Sequence, residues 1–406
     1  MHFLNSLTLS TLFFVSVRGW ADRGKPVVAG YYPSYKAHVQ APSAIPWSHY
    51  THIDYFVIPV KASADQLPVE NEANLRETVQ LARAHNVSIS LTLGGWTGSG
   101  AFSTIVGSKE SRDNFATSIV SLVKKYEVDG IDIDWEYPGM PAQDGNAYSS
   151  ADSEHFLELL TTLREKLGKD SRISAAVSMK GLMGSDGQFL ANTRAFSDVL
   201  DHLTIMAYDA YVSGAGNTIA GPTAPLYHTC SDPQNRISVS SAIEGWIKTG
   251  FNPSKILLGL PAYGYGYTLL GDSLKPTHFS STNKTSLLFQ AASPTSQGGP
   301  SAGGGGQWLY QELHKNNKLS EDSTKGTSGY QRQYDNCTHT PFLYHPETKH
   351  LIVYDDAGSI LEKTRLAKQY QLGGVNVFDT TGDTPDLHLT RAIHITYPVN
   401  QDGRSH

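Results

Sequence analysis

Three acidic residues occupy every second position of one short stretch: Asp132, Asp134 and Glu136. Side chains of an extended strand alternate between two faces, so these carboxylates share a face and are about 6.5–7 Å apart at Cα. The residues between them are apolar and share the other face. Carboxylates this close cannot all stay ionised at low cost, so one should keep its proton near neutral pH. Cleavage of a glycosidic bond requires such a protonated acid.

Three other interpretations of this strand stay open on the residues alone. In the first, the acidic face is exposed to solvent. In the second, its oxygens bind a divalent cation. In the third, its carboxylates are buried and paired and have no catalytic role. A solvated edge agrees poorly with the apolar alternation that ends in Trp135, Glu136 and Tyr137. Clustered carboxylates with separated pKa values often mark active sites, so catalysis is the preferred hypothesis.

An acidic inner face and an apolar outer face suit a strand of a closed barrel that is covered by helices. Helical spacing of apolar residues recurs before and after the acidic strand, and Gly168 is placed as a helix stop. The alternation predicts an α/β fold, a parallel (β/α)8 TIM barrel, with its site at the carboxyl ends of the strands. The eight strand-like runs cover residues 27–32, 52–57, 87–93, 128–136, 172–179, 203–209, 255–263 and 374–378.

One interval, residues 266–353, shows no such alternation. We interpret it as a small α+β insertion domain between the seventh strand and its helix, forming one wall of a cleft. The barrel would then comprise residues 22–265 and 354–397. The alternative is a long loop, since the interval includes a glycine run at 303–306.

Composition restricts the class of protein. The net charge of −6 over 406 residues argues against a nucleic-acid or anionic-membrane partner.

Residues 9–17 form an apolar run too short to span a bilayer, and small residues at Gly19 and Ala21 follow it. This predicts a signal peptide over residues 1–21 and a secreted protein. No other stretch is predicted to span a membrane, and no cofactor or metal is expected.

Two cysteines, Cys230 and Cys337, are the whole complement of the chain. An even pair in a secreted protein predicts one disulfide, here between the loop after the sixth strand and the insertion; two unpaired thiols are the alternative. Asn86, Asn283 and Asn336 each begin an Asn-x-Ser/Thr triplet, and their occupancy by glycans is open.

The acidic strand also resembles a family signature. Asp129-Gly-x-Asp132-x-Asp134-x-Glu136 is similar to the DGxDxDxE motif of glycoside hydrolase family 18 chitinases, of the secreted fungal type. The resemblance covers nearly the whole mature chain. It implies hydrolysis of β-1,4 bonds between N-acetylglucosamine units with retention, in which the acetamido group of the substrate replaces a protein nucleophile. Glu136 would then be the general acid and base, Asp134 would hold the acetamido N–H, and Asp132 would share a proton with Asp134.

Other strand ends extend the resemblance. Met206-Ala-Tyr208-Asp209 is similar to the MxYD motif, which implies that the Tyr208 hydroxyl donates to the acetamido oxygen. Thr92 stands where the SxGG motif usually has Ser, just before Gly95 and Trp96. Trp96 is either a sugar platform or a core residue, and the two interpretations are about equal.

Two positions depart from the family pattern. Phe378 stands where members usually carry Trp beneath the cleaved sugar, which should weaken ring binding by about 1 kcal/mol. Tyr265 follows the PxYG-like motif where Arg is frequent, so we expect a polar contact to be lost.

The resemblance implies a complete candidate site. Catalysis is assigned to Glu136, Asp134, Asp132 and Tyr208. Substrate binding is assigned to Tyr31, Gly95, Trp96, Tyr137, Met179, Met206, Asp209, Tyr263 and Phe378. The expected protein is a monomeric secreted chitinase acting on chitin or chitooligosaccharides. The alternatives are a chitin-binding lectin without activity and an endo-β-N-acetylglucosaminidase acting on N-glycans.

Overall fold

The computed structural model describes residues 25–60, 63, 67–211, 219–228, 237–279, 284–293, 299–300 and 306–399. The predicted signal peptide lies outside these residues. The strands are β1 Val27–Pro33, β2 His52–Ile58, β3 Ser88–Gly94, β4 Gly130–Asp134, β5 Arg172–Ser178, β6 His202–Met206, β7 Ile219–Ala220, β8 Ile256–Pro261, β9 Tyr263–Thr268, β10 Thr277–Phe279, β11 Lys284–Ser286, β12 Gln290–Ala291, β13 Gln307–Leu309, β14 Gln331–Asp335, β15 Thr340–His345, β16 His350–Val353 and β17 Gly374–Phe378. The helices are α1 Glu72–Ala84, α2 Phe102–Val106, α3 Lys109–Tyr126, α4 Asp152–Leu167, α5 Arg194–Val199, α6 Val239–Lys248, α7 Tyr310–Lys315, α8 Ala357–Gln369 and α9 His388–Thr396.

Eight parallel strands close into a barrel in the order β1, β2, β3, β4, β5, β6, β8 and β17, and β17 pairs with β1. These strands coincide with the eight runs read from the sequence, so the predicted TIM barrel is confirmed. The carboxyl ends of all eight strands open on the same side, because every neighbouring pair is parallel.

Apolar packing on the outer face of β4 follows the alternation of the sequence. Ile131 and Ile133 are fully buried, and Trp135 stacks on Phe102 with ring centroids 5.1 Å apart and meets Phe156 edge-on at 5.6 Å. Helix α4 ends at the predicted stop, where the next residue adopts a positive φ of 72° that glycine tolerates without strain. The outer face of β4 is therefore anchored by helices, and its inner face is left to polar residues.

The interval between β8 and α8 contains a five-stranded antiparallel sheet in the order β13, β9, β16, β15 and β14, together with α7. In the described part of the interval, these strands replace the long loop that was the alternative. The sheet starts at Tyr263, so the predicted boundary at 266 lies inside β9. This shift matters, because β9 brings side chains of the insertion to the barrel mouth.

Several predicted features lie partly outside the described residues. Cys337 is buried, whereas Cys230 is outside the described residues, so the disulfide stays a prediction. Asn86 and Asn336 are exposed, and Asn283 is not described. Within the described ranges, every helix is too short or too polar to pass through a membrane.

A buried ion pair fixes the return from the insertion into the barrel. Asp356 caps α8 by accepting from the backbone N–H of Ser359 at 3.0 Å. Beside it, Lys363 donates to Asp355, and neither side chain is exposed to solvent. A buried charge without its partner carries a large desolvation cost.

Replacing Lys363 by Ala should therefore lower the free energy of unfolding by about 3–5 kcal/mol, since it leaves the Asp355 carboxylate buried and unpaired. Urea denaturation monitored by circular dichroism measures the change. The matched control is Lys109→Ala, which breaks an exposed pair with Asp113 and should leave stability unchanged within error. A Lys363 variant as stable as the control variant would contradict the prediction.

Candidate active site

The acidic residues of β4 lie at the mouth of the barrel. Asp132 and Asp134 end the strand on its inner face and are buried, and Glu136 follows one residue beyond Trp135. Asp134 and Glu136 line a cleft of about 1790 Å³ at the carboxyl ends of the strands, and Asp132 lies beneath them. The alternation predicted from the sequence thus stacks carboxylates along the barrel axis.

Asp132 is held by hydroxyl groups from three other strands of the barrel, β1, β3 and β5. Its Oδ1 accepts from Ser174 Oγ at 2.7 Å, and its Oδ2 accepts from Thr92 Oγ1 at 3.2 Å and Tyr31 OH at 3.3 Å. Thr92 therefore supplies the hydroxyl at the position where the family motif has Ser. Burial, and then the charge of Asp54, raise the pKa of Asp132 to about 7.

Asp134 differs from Asp132 in the hydrogen bonding of its carboxyl oxygens. Within the described structure, its buried Oδ1 has no hydrogen-bond partner. Burial first, and then the charges of Glu136 and Asp132, raise its pKa well above the usual range. This oxygen is an unsatisfied acceptor beside the cleft, whereas buried polar atoms are normally satisfied.

Glu136 is positioned by its backbone. Its N–H donates to Ser99 Oγ at 3.1 Å, and the same hydroxyl donates to the carbonyls of Gly95 and Asp134. Ser99 therefore joins the ends of β3 and β4. Burial raises the pKa of Glu136 to about 7 against the opposing effect of a hydrogen bond with Tyr137, and the charge of Asp209 adds to the increase. Glu136 is thus largely protonated below neutral pH.

Aromatic rings form the floor of the cleft around Phe378. Its ring centroid lies 5.4 Å from Phe56, 5.6 Å from Tyr31, 5.9 Å from Tyr208 and 6.1 Å from Tyr263. Phe56 was not predicted as a site residue, although its place as an aromatic residue near the end of β2 could have indicated it. The floor keeps an aromatic face where the family usually has the larger indole.

Asp209 is held by the strand that the insertion contributes. Tyr263 OH donates to its Oδ1 at 2.7 Å, and the Tyr265 side chain also lowers the pKa of this carboxyl. The expected loss of a polar contact at Tyr265 stays a prediction. Burial raises the pKa of Asp209 to about 6, and the two tyrosines oppose this increase.

The cleft rim carries exposed aromatic residues. Trp96 is 48% exposed, so the alternative of a core tryptophan is wrong. Tyr35, which the sequence analysis did not select, is 56% exposed on the same cleft. The remaining residues assigned to substrate binding also line the cleft: Tyr31, Gly95, Tyr137, Met179, Met206 and Phe378.

A cation site was one interpretation of the acidic strand. Among the described residues, no group of three or more His, Cys, Asp or Glu side chains is arranged to hold a metal ion. The carboxylate oxygens of Asp132 are instead occupied by hydroxyl donors.

Comparison with known proteins agrees with this geometry. The family model described as "Glycosyl hydrolases family 18" matches residues 27–383. The chain belongs to glycosyl hydrolase family 18. A chitinase-like effector of Moniliophthora roreri is 32% identical over 401 residues, covering 96% of both proteins. Chitinase A1 of Niallia circulans is 29% identical over 312 residues, which are 73% of this chain and 41% of that protein.

Solved structures of the family have the same fold. The crystal structure of a chitinase from Rhizomucor miehei matches with a TM-score of 0.79 and 28% identity, and covers 91% of this chain and 99% of that chain. The chain is therefore a family 18 member similar to chitinases, and the acidic motif lies where that fold opens.

The raised pKa of Glu136 makes folding pH-dependent. A protonated Glu136 stabilises the folded state, and this contribution disappears as pH rises from about 4.5 to about 7. Glu136→Gln should therefore gain stability relative to wild type across this window, by up to about 3 kcal/mol at pH 8. Urea denaturation at pH 4.5 and pH 8 measures the difference.

The control for this measurement is Glu347→Gln, which changes an exposed carboxylate outside the cleft. Its stability relative to wild type should be the same at both pH values. A Glu136→Gln variant whose relative stability is also constant would show that Glu136 titrates normally.

Proposed function

We propose that this family 18 protein is a secreted chitinase that hydrolyses β-1,4 bonds between N-acetylglucosamine units with retention. The observation that carries the proposal is the half-buried, proton-retaining Glu136 beside Asp134, whose Oδ1 has no partner in the described structure. Several relatives named chitinases, which align with most of this chain, support the same reaction class.

In the first step, Glu136 donates its proton to the glycosidic oxygen, and the bond to the departing sugar breaks. The carbonyl oxygen of the substrate's acetamido group attacks the anomeric carbon and forms an oxazolinium intermediate. This replaces the protein nucleophile of other retaining glycosidases. The acid is protonated in the ground state because burial holds its pKa at about 7.

Two residues would hold the acetamido group for attack. Asp134 accepts from its N–H through the carboxyl oxygen that lacks a partner, and this contact offsets the positive charge that develops on the group. The Tyr208 hydroxyl donates to the carbonyl oxygen, and its ring is fixed between Phe378 and Tyr263. Asp132 shares a proton with Asp134 and so lets Asp134 change its charge.

In the second step, Glu136 acts as the base. Now a carboxylate, it accepts a proton from water as the water attacks the anomeric carbon on the face that the leaving group has vacated. The bond between this carbon and the acetamido oxygen breaks in the same step, which restores the acetamido group of the substrate. Two inversions at one carbon give net retention. Because the first step needs the protonated acid, activity should decline as pH rises through about 7.

Glu136→Gln tests the assignment. The amide cannot donate a proton to the leaving group, so kcat for chitotetraose should fall about 100- to 10,000-fold while binding is kept. Product release followed by chromatography measures turnover, and calorimetry measures binding. Glu70→Gln is the matched control, since Glu70 also lines the cleft but has no assigned role. Equal turnover in wild type and Glu136→Gln would remove Glu136 from the mechanism.

A second candidate is a chitin-binding protein without turnover. It is favoured by the two relatives named chitinase-like effectors, 32% and 30% identical, and by Phe378 at the floor. In this case wild type and Glu136→Gln bind chitotetraose equally, and neither releases sugar. An endo-β-N-acetylglucosaminidase would instead cleave an N-glycoprotein in preference to the chitin oligomer.

Phe378→Trp tests the floor. An indole offers more stacking area beneath a sugar ring, so the Kd for chitotetraose should fall about fivefold, corresponding to about 1 kcal/mol. Isothermal titration calorimetry on the Glu136→Gln background measures this without turnover. Phe289→Trp, which changes a buried ring packed on Tyr211 rather than on the floor, is the control and should leave the Kd unchanged. Unchanged or weaker binding by Phe378→Trp would contradict the stacking role.

Secretion belongs to the same proposal. The apolar run at residues 9–17 supports a cleaved signal, and an extracellular location would allow the bridge between Cys230 and Cys337. The proposal also includes action as a monomer.

A further inference from the structure

The row of carboxylates continues below the cleft, on a different strand. Asp54 of β2 is 1% exposed in the barrel interior. Its Oδ1 lies 2.9 Å from His52 Nε2, and its Oδ2 accepts from Asn376 Nδ2 at 2.9 Å. Both oxygens are thus fixed from two strands, and the carboxyl group has no contact with the cleft.

The charge of Asp54 acts on the carboxyl groups of the acidic strand β4. It is paired in register with Tyr31, whose hydroxyl donates to Asp132. The charge of Asp54 is the second cause of the raised pKa of Asp132, after burial, and it also acts on Asp134. Three carboxyl groups with like charges therefore share one desolvated barrel interior.

The other titratable and charged groups around Asp54 come from most strands of the barrel. They are Tyr31 on β1, His52 on β2, Asp132 on β4, Arg172 on β5 and His202 on β6, and the uncharged neighbours are Ser90, Thr204 and Asn376. Burial and the charge of Arg172 lower the pKa of both histidines well below the usual range, so they are neutral near neutral pH. Arg172 lowers the pKa of both Asp54 and Asp132.

The single positive charge of Arg172 cannot neutralise all the carboxylates in the barrel interior. Burial raises the pKa of both Asp54 and Asp132, and the negative charge of either carboxylate opposes ionisation of the other.

We propose that Asp54 is a positioning residue that acts through Asp132, and that its negative charge keeps the shared proton on the Asp132–Asp134 pair. The inference rests on the proposed function for its catalytic consequence, but its electrostatic part concerns the free protein. Asp54 touches no substrate. It determines how many protons the pair holds when a substrate arrives.

The direction in which the activity profile should shift follows from the repulsion between Asp54 and the Asp132–Asp134 pair. Holding the acetamido N–H requires one negative charge on the pair, so the acid side of the activity profile reports the first ionisation of the pair. Asp54→Asn removes the opposing charge and lets the pair ionise at lower pH. The acid limb should move down by about 0.5–1 pH unit, and the basic limb, which reports Glu136, should stay in place.

The first experiment measures the titration directly. Carbon-13 labelling of aspartate carboxyl groups, with NMR spectra recorded from pH 4 to pH 9, follows the ionisation of Asp132 in wild type and in Asp54→Asn. The midpoint for Asp132 should be lower in the variant. Linkage requires the reciprocal result, a lower midpoint for Asp54 in Asp132→Asn, and this second variant serves if Asp54→Asn does not fold.

The second experiment compares pH profiles of kcat/KM on chitotetraose. Asp129→Asn is the matched control, because Asp129 is a partly buried carboxylate just before β4 that accepts from the backbone N–H of Ile89, a contact that an amide oxygen preserves. Its acid limb should coincide with that of wild type.

The outcomes separate the two proposals. Shifted midpoints in a protein that releases no sugar at any pH would uphold Asp54 as the group that biases the pair and overturn the chitinase proposal. Unchanged midpoints for Asp132 and Asp54 in both variants would overturn the role of Asp54, whether or not the wild type hydrolyses chitotetraose.

Discussion

The constraint on which this structure depends is the cost of placing carboxyl groups inside a barrel. Asp54, Asp132 and Asp134 are nearly inaccessible to solvent, and Glu136 is largely enclosed by the cleft. Ionised carboxylates in such surroundings lose their hydration, and the charge of one raises the pKa of the next. The carboxyl groups of the interior therefore keep their protons to higher pH. Glu136 at the barrel mouth is protonated at a pH where an exposed glutamate is ionised.

The rest of the barrel supports this arrangement. The apolar outer face of β4 packs on helices and keeps the strand in register, so its acidic residues must face inward. Hydroxyl groups from other strands occupy the oxygens of Asp132, and Oδ1 of Asp134 has no partner in the described structure. A buried pair between Lys36 and Asp379, 2.8 Å apart, ties the loop after β1 to the residue that follows Phe378. Each device fixes one wall of the cleft.

Departures from the family pattern are partly compensated within the same cleft. Tyr265 replaces the usual arginine, and Asp209 is held by the Tyr263 hydroxyl at 2.7 Å. Phe378 offers a smaller face than an indole, but rings of neighbouring strand ends surround it. The substitutions therefore change the floor and one wall of the cleft, and they leave the acidic motif intact. This is the basis for treating turnover and binding without turnover as experimentally separable candidates.

The amino-acid sequence by itself determined the strand–helix alternation, the acidic face of β4 and the membership of the family, because these depend on residues close together in the chain. The predicted start of the insertion at residue 266 lies inside β9, because β9 begins at Tyr263, almost directly after β8. Only the tertiary structure decided that Trp96 is exposed, that Tyr263 contacts Asp209 and that Asp54 lies in the same barrel interior as the carboxylates of β4. Asp54 and Asn376 are 322 residues apart and meet only because the barrel closes. Local patterns carry no information on such contacts, since closure of the sheet brings together side chains that the sequence keeps apart.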